Sequence, residues 1–173
     1  MSENAVSRSA DAKQTGVRPR AFDAIVYGGL IVGALDALDA VVFFGLRGST
    51  PTGIFQYIAS GLLGRPALGG GSKMTALGVL LHFTVALCIA TVFYCASLAV
   101  PAMIRKPFVW GIVYGVVAYF VMNFVVVPLS AAPPLPLRLA PFINGVVGHA
   151  LLIGLPLALI ARRSAGTGPR AGT

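Results

Sequence analysis

The chain has 173 residues, of which 57% are hydrophobic and 10% charged, whereas soluble domains carry roughly a quarter charged residues. A formal charge of +8 would point to nucleic acid if the basic residues formed a stripe among aromatics, but they lie between or beyond long apolar runs. That placement excludes a nucleic-acid partner and makes the lipid bilayer the solvent.

Residues 1–20 are polar and aperiodic, which predicts a disordered cytoplasmic tail over 1–22. The apolar stretch that follows is longer than the roughly 7 to 15 residues of a signal-peptide core and lacks a convincing A-x-A cleavage site, so it is expected to stay as a membrane helix. This first crossing, about 24–44, carries Gly29-x-x-x-Gly33, the small-residue spacing that lets two helix backbones approach in lipid. The same stripe continues through Asp36, and Asp39 lies about one turn later on nearly the same face. Two carboxylates inside a run long enough to span a bilayer are the costliest feature of the chain.

Between the first and second crossings, Thr50-Pro51 has the form of a helix cap followed by proline at the first helical position. Ile54, Ile58 and Leu62 then recur at helical spacing until Gly64-Arg65-Pro66. The segment is too short to cross, which predicts an amphipathic helix on the outer membrane surface or capping the bundle. The glycine run at 69–71 reads as a hinge; without a preceding strand or a G-x-x-x-x-G-K-[ST] pattern it does not call for a bound phosphate.

The second crossing, about 74–100, contains His82 and both cysteines. Cys88 and Cys95 are seven residues apart on one helix face, too far to bridge each other, and read as buried thiols. A basic turn at Arg105-Lys106 leads to the third crossing, about 108–127, with Gly111-x-x-x-Gly115, Tyr119 and Asn123, which Pro128 is expected to end. The stretch 130–138 is too proline-rich for a helix. The fourth crossing, about 139–161, places His149 near its middle and Pro156 at a possible kink, and Arg162-Arg163 closes it before a second disordered cytoplasmic tail at 163–173. The fold expected is therefore all-α, an integral membrane four-helix bundle over 23–162 with one short interfacial helix.

Nine of the thirteen Lys and Arg residues fall in the two tails and the second connection, and four in the first and third connections. The positive-inside rule then puts both termini in the cytoplasm. A faint repeat runs through the chain: crossings one and three each carry GxxxG, and crossings two and four each carry G-x-x-x-H, at Gly78–His82 and Gly145–His149. Both halves would enter the membrane from the same side, as in a parallel repeat of helix pairs.

The stretches Gly45-Leu46-Arg47-Gly48, residues 55–64, Leu81-His82-Phe83, residues 119–123 and Pro128-Leu129-Ser130 together resemble a group of uncharacterised bacterial four-helix inner-membrane proteins, over about residues 24–161. In layout the chain is similar to the YagU-like family. The resemblance implies a bacterial inner-membrane location and four crossings, and it brings no activity with it.

Asp36, Asp39, His82, Asn123 and His149 fall at related depths, roughly 7 to 15 Å below the outer boundary at 1.5 Å per residue. A candidate polar cluster inside the bundle follows. As a functional site it would handle protons or cations, with His82, His149 and a carboxylate as exchangeable proton carriers or metal ligands. As a structural feature its hydrogen bonds would hold slender helices in register. No G-x-S-x-G or H-E-x-x-H pattern is present and Ser60 has no neighbouring histidine, so catalysis is not expected, nor is a cofactor. Two functions stay open: a non-enzymatic component that pairs with itself or another membrane protein through its glycine stripes (Gly29, Gly33, Gly111, Gly115), or a small proton- or cation-coupled transporter or channel-like protein. A water-accessible cavity reaching Asp36 would favour the second, and a dry, closed bundle the first.

Overall fold

In the computed structural model residues 18–166 are described; of the tails expected over 1–22 and 163–173, residues 1–17 and 167–173 lie outside the described residues, and Ala21 and Phe22 are helical. Among the described residues every regular element is helical. Five helices carry the fold: α1 (Asp23–Gly45), α2 (Pro51–Leu63), α3 (Gly71–Ala99), α4 (Pro107–Leu129) and α5 (Leu139–Gly166). All but α2 are long and apolar enough to cross a membrane. Their outward faces are apolar as well: Leu38, Leu80 and Phe108 are each more than 60% exposed, as expected where lipid replaces water around a helix that is hydrophobic all round. The chain is thus a multi-pass membrane protein by its helices.

The glycine stripes set which helices meet. A Cβ added at Gly29 would come within 2.8 Å of the Leu87 side chain, and one at Gly33 within 2.9 Å of Phe83, so α1 and α3 approach closely. A Cβ at Gly115 would overlap the His149 carbonyl, and one at Gly154 the Gly111 carbonyl, so α4 and α5 do the same. All four predicted packing glycines therefore abut a neighbouring span of the same chain. The faint repeat has a geometric counterpart. In each pair the second glycine of the motif faces the residues beside the histidine, and the first faces residues one turn further on. Helix α5 also packs on α1, and α3 meets α4 through Tyr114, whose hydroxyl donates to the Ile89 carbonyl at 2.6 Å and whose ring lies edge-on to Phe93.

Helix α2 starts as its sequence predicts. The Thr50 hydroxyl accepts the Gly53 N–H at 3.1 Å and Pro51 takes the first helical position. Gly64, at φ +69°, ends it in a conformation that disfavours a side chain. The helix then lies on α3, where the bare Gly78 leaves room for the Phe55 carbonyl. Gln56 fastens the following turn, accepting the Gly69 N–H at 2.9 Å and donating to the Gly71 carbonyl at 3.2 Å. On its other side α2 is tied to the proline-rich connection: the Ala131 N–H donates to the Gly61 carbonyl at 2.9 Å, and the Tyr57 hydroxyl to the Pro133 carbonyl at 3.2 Å.

The third crossing ends at Leu129, one residue past Pro128, after a π-helical turn at Met122–Val126 that accommodates the missing N–H. Two expectations need correcting. Helix α5 runs past Arg162 and Arg163 to Gly166, so residues 163–166 belong to the helix and not to a tail. Cys88 and Cys95 are exposed: they do share a face, but it is the outward one, while Gly78, Ala86, Ala90, Phe93 and Ser97 take the packed face.

Candidate functional site

The helix ends decide where the polar residues go. Proline lacks an N–H and presses on the carbonyl four residues earlier, so the turn before it widens. Pro156 is preceded by a π-helical turn, His149–Gly154, that begins with His149, and Pro128 by Met122–Val126, which contains Asn123. Both candidate residues thus sit on locally widened helix, a feature that recurs at functional sites.

A cavity of about 200 Å³ lies between the four spans, with Ile58 of α2 in its wall. Four of the five predicted residues, Asp36, His82, Asn123 and His149, line it, one from each spanning helix. His149 Nδ1 stands 3.8 Å from Asp36 Oδ1, which is ion-pair distance and too long for a hydrogen bond. The two side chains are 15% and 26% exposed, so each faces the cavity with part of its surface. The Tyr119 ring holds the imidazole edge-on, with centroids 5.3 Å apart.

His82 is placed differently. Its Nε2 lies 2.8 Å from the Gly33 carbonyl oxygen; a carbonyl can only accept, so Nε2 is the donor. Gly33 makes this bond possible by bringing its backbone close to α3. Asn123 is exposed at the cavity's edge and donates its side-chain N–H to the Tyr119 carbonyl at 3.0 Å, one turn back on its own helix. That leaves Oδ1 and the second N–H of the amide to offer.

Asp39 does not line the cavity. Its Oδ2 accepts from Asn144 Nδ2 at 2.7 Å, across the α1–α5 contact. Asn144 was not among the predicted residues, although the signal was available: it is an amide in an apolar crossing, the criterion that selects Asn123. Because Asp39 turns to Asn144 and His82 to Gly33, no group of three or more His, Cys, Asp or Glu among the described residues can hold a metal ion. The reading of the histidines and carboxylates as a three- or four-ligand metal site is therefore set aside. Ser60 is buried and donates to the Tyr57 carbonyl at 2.6 Å, which is a helix-packing role. The Tyr57 phenol beside it, outside the spans, is held above its ordinary pKa by burial and stays a neutral donor.

No protein-family model matches the chain, and neither does any curated protein or solved structure.

Proposed function

We propose that the chain is a bacterial inner-membrane protein that passes protons or small cations through the cavity between its spans, with Asp36 and His149 as the exchanging pair. The observation that carries this reading is a carboxylate and an imidazole 3.8 Å apart on the wall of one intramembrane cavity. Ionisable residues are costly in hydrocarbon, and those that persist face cavities and mark ion or proton pathways. The test is a reconstituted one: liposomes holding a pH-sensitive dye, a pH step outside, and the rate of internal change. Wild type is expected to exceed protein-free liposomes several-fold, and Asp36→Asn to lose at least nine-tenths of the excess while eluting as a folded species. A wild-type rate equal to that of empty liposomes ends the proposal.

Orientation belongs to the same reading. The nine-to-four charge asymmetry supports cytoplasmic termini, with α2 and the 130–138 connection at the outer interface. Reporter fusions at Gly70 and at the C-terminus should then report opposite sides; the same side for both removes the topology. The cover formed by α2 can be fixed in place. A Cβ built at Gly61 lies 3.8 Å from that of Ser130, the mean separation in disulfides. In a background where Cys88 and Cys95 are replaced by alanine, Gly61→Cys with Ser130→Cys is expected to cross-link under mild oxidation and to slow flux, with recovery on reduction. A double variant that stays reduced would mean that α2 does not rest on the connection.

A second reading, a structural component with no transported solute, is favoured by Asp39. Its 2.7 Å bond to Asn144 fixes the register of α1 against α5 and faces no cavity. Both roles can coexist on one helix, and the flux assay separates them.

A further inference from the structure

The cavity has the chemistry of a particular ligand class, and this inference rests on reading it as a solute pathway. Asp36 is the only acidic residue in its wall. His82 turns its Nε2–H to Gly33 and Asn123 one of its two amide N–H groups to Tyr119, so the wall presents the Asp36 carboxylate with the His149 imidazole 3.8 Å away, and the Asn123 carbonyl oxygen and second N–H. An anion would meet the negative charge of Asp36. A neutral solute would leave the carboxylate with no partner nearer than the His149 imidazole at 3.8 Å, too far for a hydrogen bond.

An inorganic cation fits poorly for a different reason. Hard cations need about six oxygen ligands, and among the described residues no cluster of three His, Cys, Asp or Glu is close enough to hold a metal. The rest of the wall is also wrong for it: Val32, Ile58, Val85, Ile89, Met122 and Ile153 are apolar. A volume of about 200 Å³ exceeds the roughly 150 Å³ apolar cavity that is known to take benzene. Asn123, exposed on α4, also lines the cavity, so an amphiphilic cation has a second polar acceptor beside the apolar walls.

We infer that the cavity binds a small organic monocation, a protonated amine with an apolar body about the size of one ring. Its ammonium group pairs with Asp36 and takes a further acceptor from Asn123 Oδ1, while the body lies against Ile58, Val85 and Ile89.

The probe is benzylammonium, titrated calorimetrically into the full chain in lipid nanodiscs, with benzyl alcohol, benzoate and sodium as comparisons. Saturable heat is expected for benzylammonium alone, with affinity at least tenfold weaker in Asp36→Asn. Ile58→Trp, which fills the cavity from α2 and leaves the carboxylate in place, is expected to weaken it at least tenfold as well, and carries the test should Asp36→Asn not fold. Equal affinity for benzyl alcohol, or unchanged affinity in both variants, overturns the inference. Proton flux in liposomes with no saturable benzylammonium binding overturns it too and leaves the pathway standing. Asp36-dependent binding without flux supports it and removes the pathway.

Discussion

The end of the helix assembly near residues 23 and 166 and the end near α2 are built from the same four helices, yet the first has a packed apolar interior with only an open surface groove lined by Asp23, Tyr27 and Arg163, and the second is hollow inside. Near the described chain ends, Phe93, Ile104, Leu157 and Ala158 are almost wholly buried and the helices close on one another. Toward α2 the same helices part around about 200 Å³. Glycines run through both ends, so close approach of backbones is not what differs. What differs is the filling: large apolar side chains at one end, and Asp36, His82, Asn123 and His149 at the other. Buried polar groups are stable only with partners, and here much of their hydrogen bonding is directed to backbone carbonyls at the cavity's edge, leaving the middle open.

This contrast breaks first at the glycine seams. A Cβ at residue 115 has to displace the α5 backbone at His149, whereas one at Gly45 meets nothing within 4 Å. Gly115→Ala is therefore expected to lower stability by about 2–3 kcal/mol, the upper range for overpacking, and Gly45→Ala to stay within about 0.5 kcal/mol of wild type. Thermal unfolding in micelles measures both; equal losses would mean that the α4–α5 seam is looser than described.

The next effect is at Asp39. Asn144→Leu leaves its carboxylate without the amide partner and should cost about 1–2 kcal/mol. A double-mutant cycle with Asp39→Leu should return a coupling of about 0.6–1.7 kcal/mol, the range for hydrogen bonds between membrane helices. Zero coupling would show that the register is held by packing alone. Tyr114→Phe is smaller still, because the ring keeps its edge-on contact with Phe93 and only the bond to the Ile89 carbonyl goes; about 1 kcal/mol is expected. No change on unfolding would indicate that α3 and α4 do not depend on that bond.

Much of the layout was legible because lipid imposes simple rules. Four apolar runs became four candidate spans, and Thr50-Pro51 marked the start of α2 to the residue. Helix rotation was not legible. The stripe through Gly29 and Gly33 located the α1 seam, but nothing in the second crossing said whether Cys88 or Ala86 would face it, since one residue turns a side chain by about 100°. Nor could spacing show that Pro128 is absorbed by a π-helical turn, because that depends on whether neighbouring helices hold the widened turn in place. Asn144 lies within the same range of depths as the predicted residues, but depth along an axis says nothing of what stands across the gap. Asp36 was assigned to the packing stripe and does lie beside His149, while Asp39, one turn on, serves a different partner.

The smallest expected effect on stability is also the sharpest use of the contrast. The Asp36 carboxylate stands 3.8 Å from His149 Nδ1 with 26% of its side chain exposed, so no short hydrogen bond joins this pair. An amide has nearly the same shape and keeps the acceptor oxygen. Asp36→Asn should therefore change stability by less than about 0.5 kcal/mol, as substitutions do when they disturb no packing or bond, while removing the charge on which flux is proposed to depend. Asp39→Asn sits beside Asn144 Nδ2 and should weaken a charge-assisted bond, costing more stability and less flux. The two aspartates then trade places between the two measurements. Should Asp36→Asn destabilise the protein as much as Asn144→Leu, its carboxylate is a tie between helices, and the hollow end is held together by the groups that line it.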